Sequence, residues 1–167
     1  METARVDSGQ IREAYLWYGN AMFAAATLER SLVNAAAIHR LAAAAREGRE
    51  LVSDPFVKAA KAGMDDNIKK IKVRLEQHPG LEDRLLQAKD RRNHLAHDFC
   101  FHRASDLFAA EPTGRLIEEL ASDVPAFLDL HDEVVAVSRA IMEEAGMDLD
   151  AADRLHVALV EMAVRGE

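Results

Sequence analysis

The chain begins with a long stretch of helix-favouring residues in which apolar positions recur every three or four residues. Between about Gly9 and Arg46 the apolar positions are Ile11, Tyr15, Tyr18, Met22, Ala25, Leu32 and Ala36. This alternation of steps places the side chains on one face of an α-helix. Asp7 and Gln10 have the spacing of a capping box, which marks the start of the helix. A helix this long must bury its apolar face against other helices, so the stretch predicts a helical bundle.

The rest of the chain continues the helical pattern. Alanine runs favour helix because alanine loses no side-chain entropy there, and aromatic residues make up only 5% of the chain. We predict an all-α fold, a bundle of four to five antiparallel helices in one domain, 1–167. The second helix is predicted from Pro55, capped by Asp54, to about Gln77 with a break near Gly63, and the third from Leu81 to about Cys100. The fourth is predicted from Gly114 to about Gly146 with a bend near Pro125. A last helix is predicted from Asp148 or Asp150 to about Val164. His102–Thr113 is predicted to be a loop with short helical content at most.

The net charge is −8, the wrong sign for a protein that coats nucleic acid. Residues 58–103 nevertheless hold 11 Lys or Arg against 7 Asp or Glu, a local balance of +4. A single cysteine, Cys100, excludes a disulfide framework within one chain. No apolar stretch is long enough to span a membrane and the start is not leader-like, so we predict a cytoplasmic protein without a membrane partner.

One segment, Lys89–Phe99, concentrates residue types that act on phosphates. It contains Arg91, Arg92, Asn93, His94 and His97. Arginine offers a planar fork of donors that matches a phosphate, and histidine carries a proton near neutral pH. The segment therefore predicts chemistry on a phosphodiester. A glycine-rich phosphate loop and a dinucleotide fingerprint are both absent from the sequence.

Two charged residues interrupt otherwise apolar stripes. Glu29 falls within the stripe of the first helix. Arg92 falls within that of the third, whose apolar members are Leu81, Leu85, Ala88, Leu95 and Phe99. Because burying an unpaired charge is costly, we predict that Glu29 and Arg92 form an ion pair between the two helices.

An α-helix would separate the two strongest candidates for chemistry. Each residue advances about 100°, which places Asn93 about 40° and Arg92 about 140° from His97. Asn93 can then hydrogen-bond His97 one turn away. Arg92 reaches the same phosphate only by its long stem, from a helix end, or across a twofold axis between two copies of the helix.

Two other interpretations fit the same residues. In one, Arg92 pairs with a buried acid and His97 is an ordinary helix histidine with satisfied hydrogen bonds. In the other, His94 and His97 bind a metal together with His102 or Asp98. One helix supplies too few ligands for such a site, and we predict neither a metal nor a cofactor.

The run Arg92-Asn93-His94-Leu95-Ala96-His97 resembles the signature of the HEPN superfamily. That signature is an arginine, four to six residues and a histidine, commonly with a polar residue after the arginine. Arg92 with His97 fits the four-residue form, and Arg91 with His97 fits the five-residue form. The resemblance covers the whole chain as an architecture but only this short segment as a motif.

The resemblance implies a helical bundle that dimerises around the motif helices. Active members resemble one another as metal-independent endoribonucleases, often toxins or defence factors. Carried over, Arg92 and His97 take the catalytic positions and Asn93 the polar one. We expect RNA as substrate, a 2′,3′-cyclic phosphate as product, and Glu29, Arg91 and His94 as supporting residues.

The resemblance also bears on partners. It implies an antitoxin or nucleotidyltransferase partner, because some family toxins carry a tyrosine two residues after the histidine that such a transferase modifies. This chain has Phe99 there, which lacks a hydroxyl, so modification at that position is excluded. Other members have lost catalysis. The alternative function is accordingly a non-catalytic nucleotide- or protein-binding module.

Overall fold

The computed structural model describes residues 7–147, and this part of the chain is an all-α helical bundle, as predicted. The elements are α1 (Ser8–Arg46), α2 (Pro55–Ala60), α3 (Met64–Leu75), α4 (Leu81–Asn93), a π-helical turn (His94–Asp98), α5 (Phe99–Arg103), a 3-10 turn (Ala104–Phe108) and α6 (Ala110–Glu144). Residues 7–147 contain no β-strand. The predicted last helix, from Asp148 or Asp150 to about Val164, lies outside the described residues.

The helices begin where their capping residues predict. Asp7 and Gln10 form the predicted capping box at the start of α1. Asp54 accepts hydrogen bonds from the first turn of α2, and Pro55 occupies the first helical position. The predicted break near Gly63 separates α2 from α3. Gly80, with φ of 77°, makes the left-handed turn before α4 that side chains disfavour.

Long-range ion pairs define the helix directions. Arg84 pairs with Glu133, whereas Arg91, further along α4, pairs with the earlier Asp123, so α4 runs antiparallel to α6. Arg92 pairs with Glu29 and Leu95 contacts Tyr18, so α4 also runs antiparallel to α1. The two longest helices, α1 and α6, therefore run side by side in the same direction, because the chain between them returns to the end of the bundle where α1 begins. The predicted antiparallel arrangement is wrong for this pair and holds for α4 against each of them.

The core lies between these helices, and small residues carry much of the α1 contribution. The apolar stripe predicted for the third helix is confirmed, since all its members are buried: Leu81, Leu85, Ala88, Leu95 and Phe99. The predicted α1 stripe is partly wrong, because Tyr15 is 60% exposed while Ala14, Ala21 and Leu28 are buried. Alanine allows close helix approach, which turns the contact face of α1 away from Tyr15. None of the helices within residues 7–147 combines the length and apolarity that crossing a membrane requires.

The prediction of a loop with short helical content at His102–Thr113 is partly wrong. Within it α5 continues to Arg103, the 3-10 turn covers Ala104–Phe108, and α6 begins at Ala110, four residues before the predicted start. Thr113 is fully buried, and its hydroxyl donates to the carbonyls of Asp106 and Ala109, which holds the segment against the start of α6. α6 then continues through Pro125 as one helix.

Candidate functional site

The motif segment contains a π-helical turn at the residues that the sequence singled out. The predicted continuous α-helix to Cys100 is wrong here, because the Phe99 amide donates to the His94 carbonyl, five residues back. The Leu95 carbonyl, which would accept that bond in an α-helix, accepts one from the Tyr18 hydroxyl at 3.0 Å instead. The Tyr18 ring also stacks on Phe99 with centroids 4.8 Å apart. Tyr18 on α1 therefore stabilises the wide turn, a feature frequent at functional sites.

The wide turn changes which side chains share a face. A residue in a turn closed by bonds five apart advances by less than the about 100° of an α-helix. His97 follows Arg92 by five residues, so the angle between the two side chains around the helix axis is smaller than the about 140° of a regular α-helix. The hydrogen bond expected between Asn93 and His97 is not formed by these described side chains. The Asn93 carbonyl oxygen instead accepts a hydrogen bond from Arg92 at 3.1 Å.

Arg92 is held between α1 and α4 by two partners. Its Nη2 lies 2.7 Å from Glu29 Oε2, which confirms the predicted pair between the first and third helices. Its Nη1 donates to Asn93. The two charged side chains are 29% and 31% exposed, so the pair is reached by solvent. A guanidinium carries five N–H donors, which leaves others to bind an anion.

Arg91 points to the other side of α4 and belongs to an ion-pair network with α6. Its Nε and Nη2 donate to both carboxylate oxygens of Asp123, and Nη2 lies 2.8 Å from Glu119. Burial lowers the pKa of Arg91, but Asp123 and Glu119 outweigh burial and leave the pKa above its ordinary value. Glu119 also binds Arg103, which in turn binds Asp106. This arrangement occupies Arg91 structurally and favours Arg92 as the phosphate-binding arginine.

Histidine rings lie at the surface of the motif segment. His97 is exposed on the π-helical turn and His94 is half-buried. The His94 ring meets the edge of Phe99 and lies nearly parallel to His102, with the imidazole planes 13° apart and the ring centroids 6.4 Å apart. Phe101 is 87% exposed and contacts His102 edge to face. The sequence pattern alone does not place His102 and Phe101 in a ring cluster, because the π-helical turn that aligns them depends on Tyr18, far away in sequence.

Three of the four basic residues in the run on α3 have acidic partners. Lys69 pairs with Asp65, Lys72 with Glu82 at the start of α4, and Arg74 with Glu144 at the end of α6. Lys70 donates instead to the amide oxygen of Asn67 at 3.1 Å. Most of this basic run is therefore engaged in contacts within the fold.

The described residues beside the motif hold a small cleft and no metal cluster. Among residues 7–147 the structure contains no group of three or more His, Cys, Asp or Glu side chains placed to bind a metal ion. A small apolar cleft beside Tyr15, Tyr18 and Phe99 has a volume of about 60 Å³, which is too small for a nucleotide.

Comparisons of the chain with known protein families, with characterised proteins and with solved structures find no match.

Proposed function

We propose that the protein is a metal-independent endoribonuclease of the HEPN type that works as a homodimer, in the setting of a toxin or a defence factor. The observation that carries the proposal is that Arg92 is fixed by Glu29 and Asn93, five residues before an exposed His97. Because the π-helical turn advances by less per residue than an α-helix, it favours a position of His97 closer to the face of Arg92. A fixed donor fork beside an accessible proton carrier is what phosphodiester cleavage needs.

In the proposed reaction His97 removes the proton from a ribose 2′-hydroxyl. The 2′-oxygen attacks the adjacent phosphorus, and the bond from phosphorus to the 5′-oxygen breaks. His97 of the partner subunit protonates the leaving oxygen, which gives a 2′,3′-cyclic phosphate and a 5′-hydroxyl. Arg92 binds the phosphate and stabilises the charge that develops on its oxygens. Asn93, held on Arg92, keeps the guanidinium aimed at that phosphate.

Exposed apolar side chains support the dimer. Tyr15, Leu16 and Phe23 on α1 are 60%, 64% and 75% exposed, on the helix that also carries Tyr18 and Glu29. Apolar side chains of this size, clustered on one helix, favour an interface over permanent contact with water. An interface there would place two motif segments near each other, which is the arrangement that the two-histidine reaction requires.

The test is cleavage of mixed single-stranded RNA by purified protein in EDTA. We expect cleavage that leaves 2′,3′-cyclic phosphate ends, and a loss of at least about a hundredfold in His97→Ala and in Arg92→Ala. The DNA copy of the same sequence should resist. Light scattering on the same preparation should give the mass of a dimer.

A matched control is His78→Ala, which removes a histidine from the turn before α4. It should cleave like the wild type. Cleavage that requires a divalent metal, or equal cleavage by His97→Ala and the wild type, would contradict the proposal.

A second function, a non-catalytic nucleotide- or protein-binding module, is favoured by one observation. Glu29 already compensates the charge of Arg92, as in an ordinary structural ion pair. Under this alternative the purified protein binds single-stranded RNA without cutting it, and His97→Ala binds as the wild type does. Binding and cleavage measured on the same RNA separate the two functions.

A further inference from the structure

Five rings form a continuous chain from the core to the surface at the motif segment. Tyr18 stacks on the buried Phe99, Phe99 meets His94, His94 faces His102, and His102 meets the exposed Phe101. His94 is therefore backed by ring contacts that reach the core. His102 and Phe101 stand on its solvent side.

The ring centroids lie further apart on the solvent side of Phe99. The Tyr18 and Phe99 centroids are 4.8 Å apart, as expected for rings in contact, whereas the nearly parallel His94 and His102 rings are 6.4 Å apart. Successive bases of a nucleic-acid strand are separated by about 3.4 Å. One flat ring that stacks on both imidazoles needs two such intervals, so the two histidine side chains must open by about 0.4 Å to admit it.

The π-helical turn explains why the two histidines face each other. Eight residues separate them, which would place them about 80° apart on a regular α-helix. The wide turn at His94–Asp98 advances by less per residue and returns His102 to the face of His94. The hydrogen bond from Tyr18 to the Leu95 carbonyl thus contributes to the alignment of the imidazoles as well as to the turn itself.

We propose that His94 and His102 form a clamp for one unpaired nucleobase, with Phe101 as its outer rim. This inference rests on the proposed function and names its substrate class as single-stranded RNA with an unstacked base beside the scissile phosphate. Proteins hold splayed bases on aromatic side chains, histidine included, and every base offers a flat face. His97 and Arg92 lie on the same segment, so a base held in the clamp would bring its phosphate toward them.

The clamp can be tested without cleavage. The probe is a short fluorescein-labelled single-stranded DNA, which lacks the 2′-hydroxyl that the proposed reaction needs. A second probe has the same backbone with abasic nucleotides. Binding is measured by anisotropy in EDTA at low ionic strength, because the protein carries a net charge of −8.

We expect His94→Ala and His102→Ala to weaken binding of the base-bearing probe by about tenfold and to leave binding of the abasic probe unchanged. Unchanged abasic binding also shows that the variants are folded. His102→Phe keeps a flat ring and should retain most of the affinity. His78→Ala, a histidine outside the ring chain, should bind like the wild type.

Equal binding of the two probes by the wild type, or full affinity in His102→Ala, would overturn the clamp. Binding that appears only when Zn²⁺ is added would also overturn it, because the two imidazoles would then be metal ligands. RNA cleavage that persists in His102→Ala with full probe affinity disproves the clamp and leaves the ribonuclease proposal intact. Base-dependent probe binding by a protein that cuts no RNA supports the clamp and disproves the ribonuclease proposal.

Discussion

At the residue scale, the pair between Arg92 and Glu29 bears on both stability and the proposed chemistry. Its distance of 2.7 Å gives a direct, charge-assisted hydrogen bond, but both side chains remain about one-third exposed. Solvent compensates part of the charge that would be left behind when either partner is removed. The pair should therefore contribute less than the about 3–5 kcal/mol lost on breaking a fully buried ion pair.

We expect Glu29→Gln to lower the free energy of unfolding by about 1–2 kcal/mol. It should also lower RNA cleavage, because Arg92 is then oriented by Asn93 alone. Glu13→Gln, an exposed acid on the same helix, is the control and should change neither quantity. Urea denaturation and the cleavage assay measure the two effects. A variant that cleaves faster than the wild type would show that Glu29 blocks Arg92 instead of orienting it.

At the element scale, the π-helical turn exists because one hydrogen bond replaces another. The Leu95 carbonyl gives up the Phe99 amide and accepts the Tyr18 hydroxyl. Without that hydroxyl, the carbonyl is left unsatisfied in a partly buried place or the turn tightens to an α-helix. Tightening would rotate α5, and His102 with it, by up to about 100°.

We expect Tyr18→Phe to destabilise the protein by about 1–2 kcal/mol while preserving the ring stack on Phe99. Amide hydrogen exchange should become faster from the π-helical turn through α5. Tyr15→Phe is the matched control, since Tyr15 is exposed on the same helix and should be neutral. If the two variants have the same stability and exchange, the hydroxyl does not maintain the turn.

At the scale of the whole molecule, the ends of three helices meet at a titratable group. Among residues 7–147, the buried Nδ1 of His39 on α1 has no hydrogen-bond partner, and the charge of Arg74 on α3 acts on the ring. Arg74 itself pairs with Glu144 at the end of α6. Burial, followed by the charges of Arg74 and Arg46, lowers the pKa of His39 below its ordinary 6.5. The folded protein thus favours the neutral ring, and the unfolded chain binds a proton more readily.

Stability should consequently rise with pH as His39 titrates. As the pH falls below 6.5 toward the lower pKa of the folded state, the unfolded chain gains a proton that the folded chain does not, and stability is lost. We expect His39→Gln to reduce the difference in unfolding free energy between about pH 7.5 and about pH 5.5. Urea denaturation at the two values checks this. An unchanged slope would show that other groups determine the acid sensitivity.

The features that depend on local spacing and on charge were predictable from the sequence. Apolar periodicity and capping residues predicted the all-α bundle, the start of α1 and α2, and the complete buried stripe from Leu81 to Phe99. The pairing of Glu29 with Arg92 was also predictable, because two charges interrupting two apolar stripes must compensate each other.

Other features arise from contacts between residues distant in sequence, which are formed only when the helices pack. Tyr18 and Leu95 are 77 residues apart, and their hydrogen bond accompanies the replacement of an α-helical turn by a π-helical one. That turn invalidated the angles expected for Asn93 and His97, and it aligned His94 with His102. Arg91 and Arg92 are equivalent in the motif, but packing on α6 gave the first to Asp123 and packing on α1 gave the second to Glu29. Neighbouring side chains on a helix point in directions about 100° apart, so the helices that surround them decide which acid each arginine pairs with.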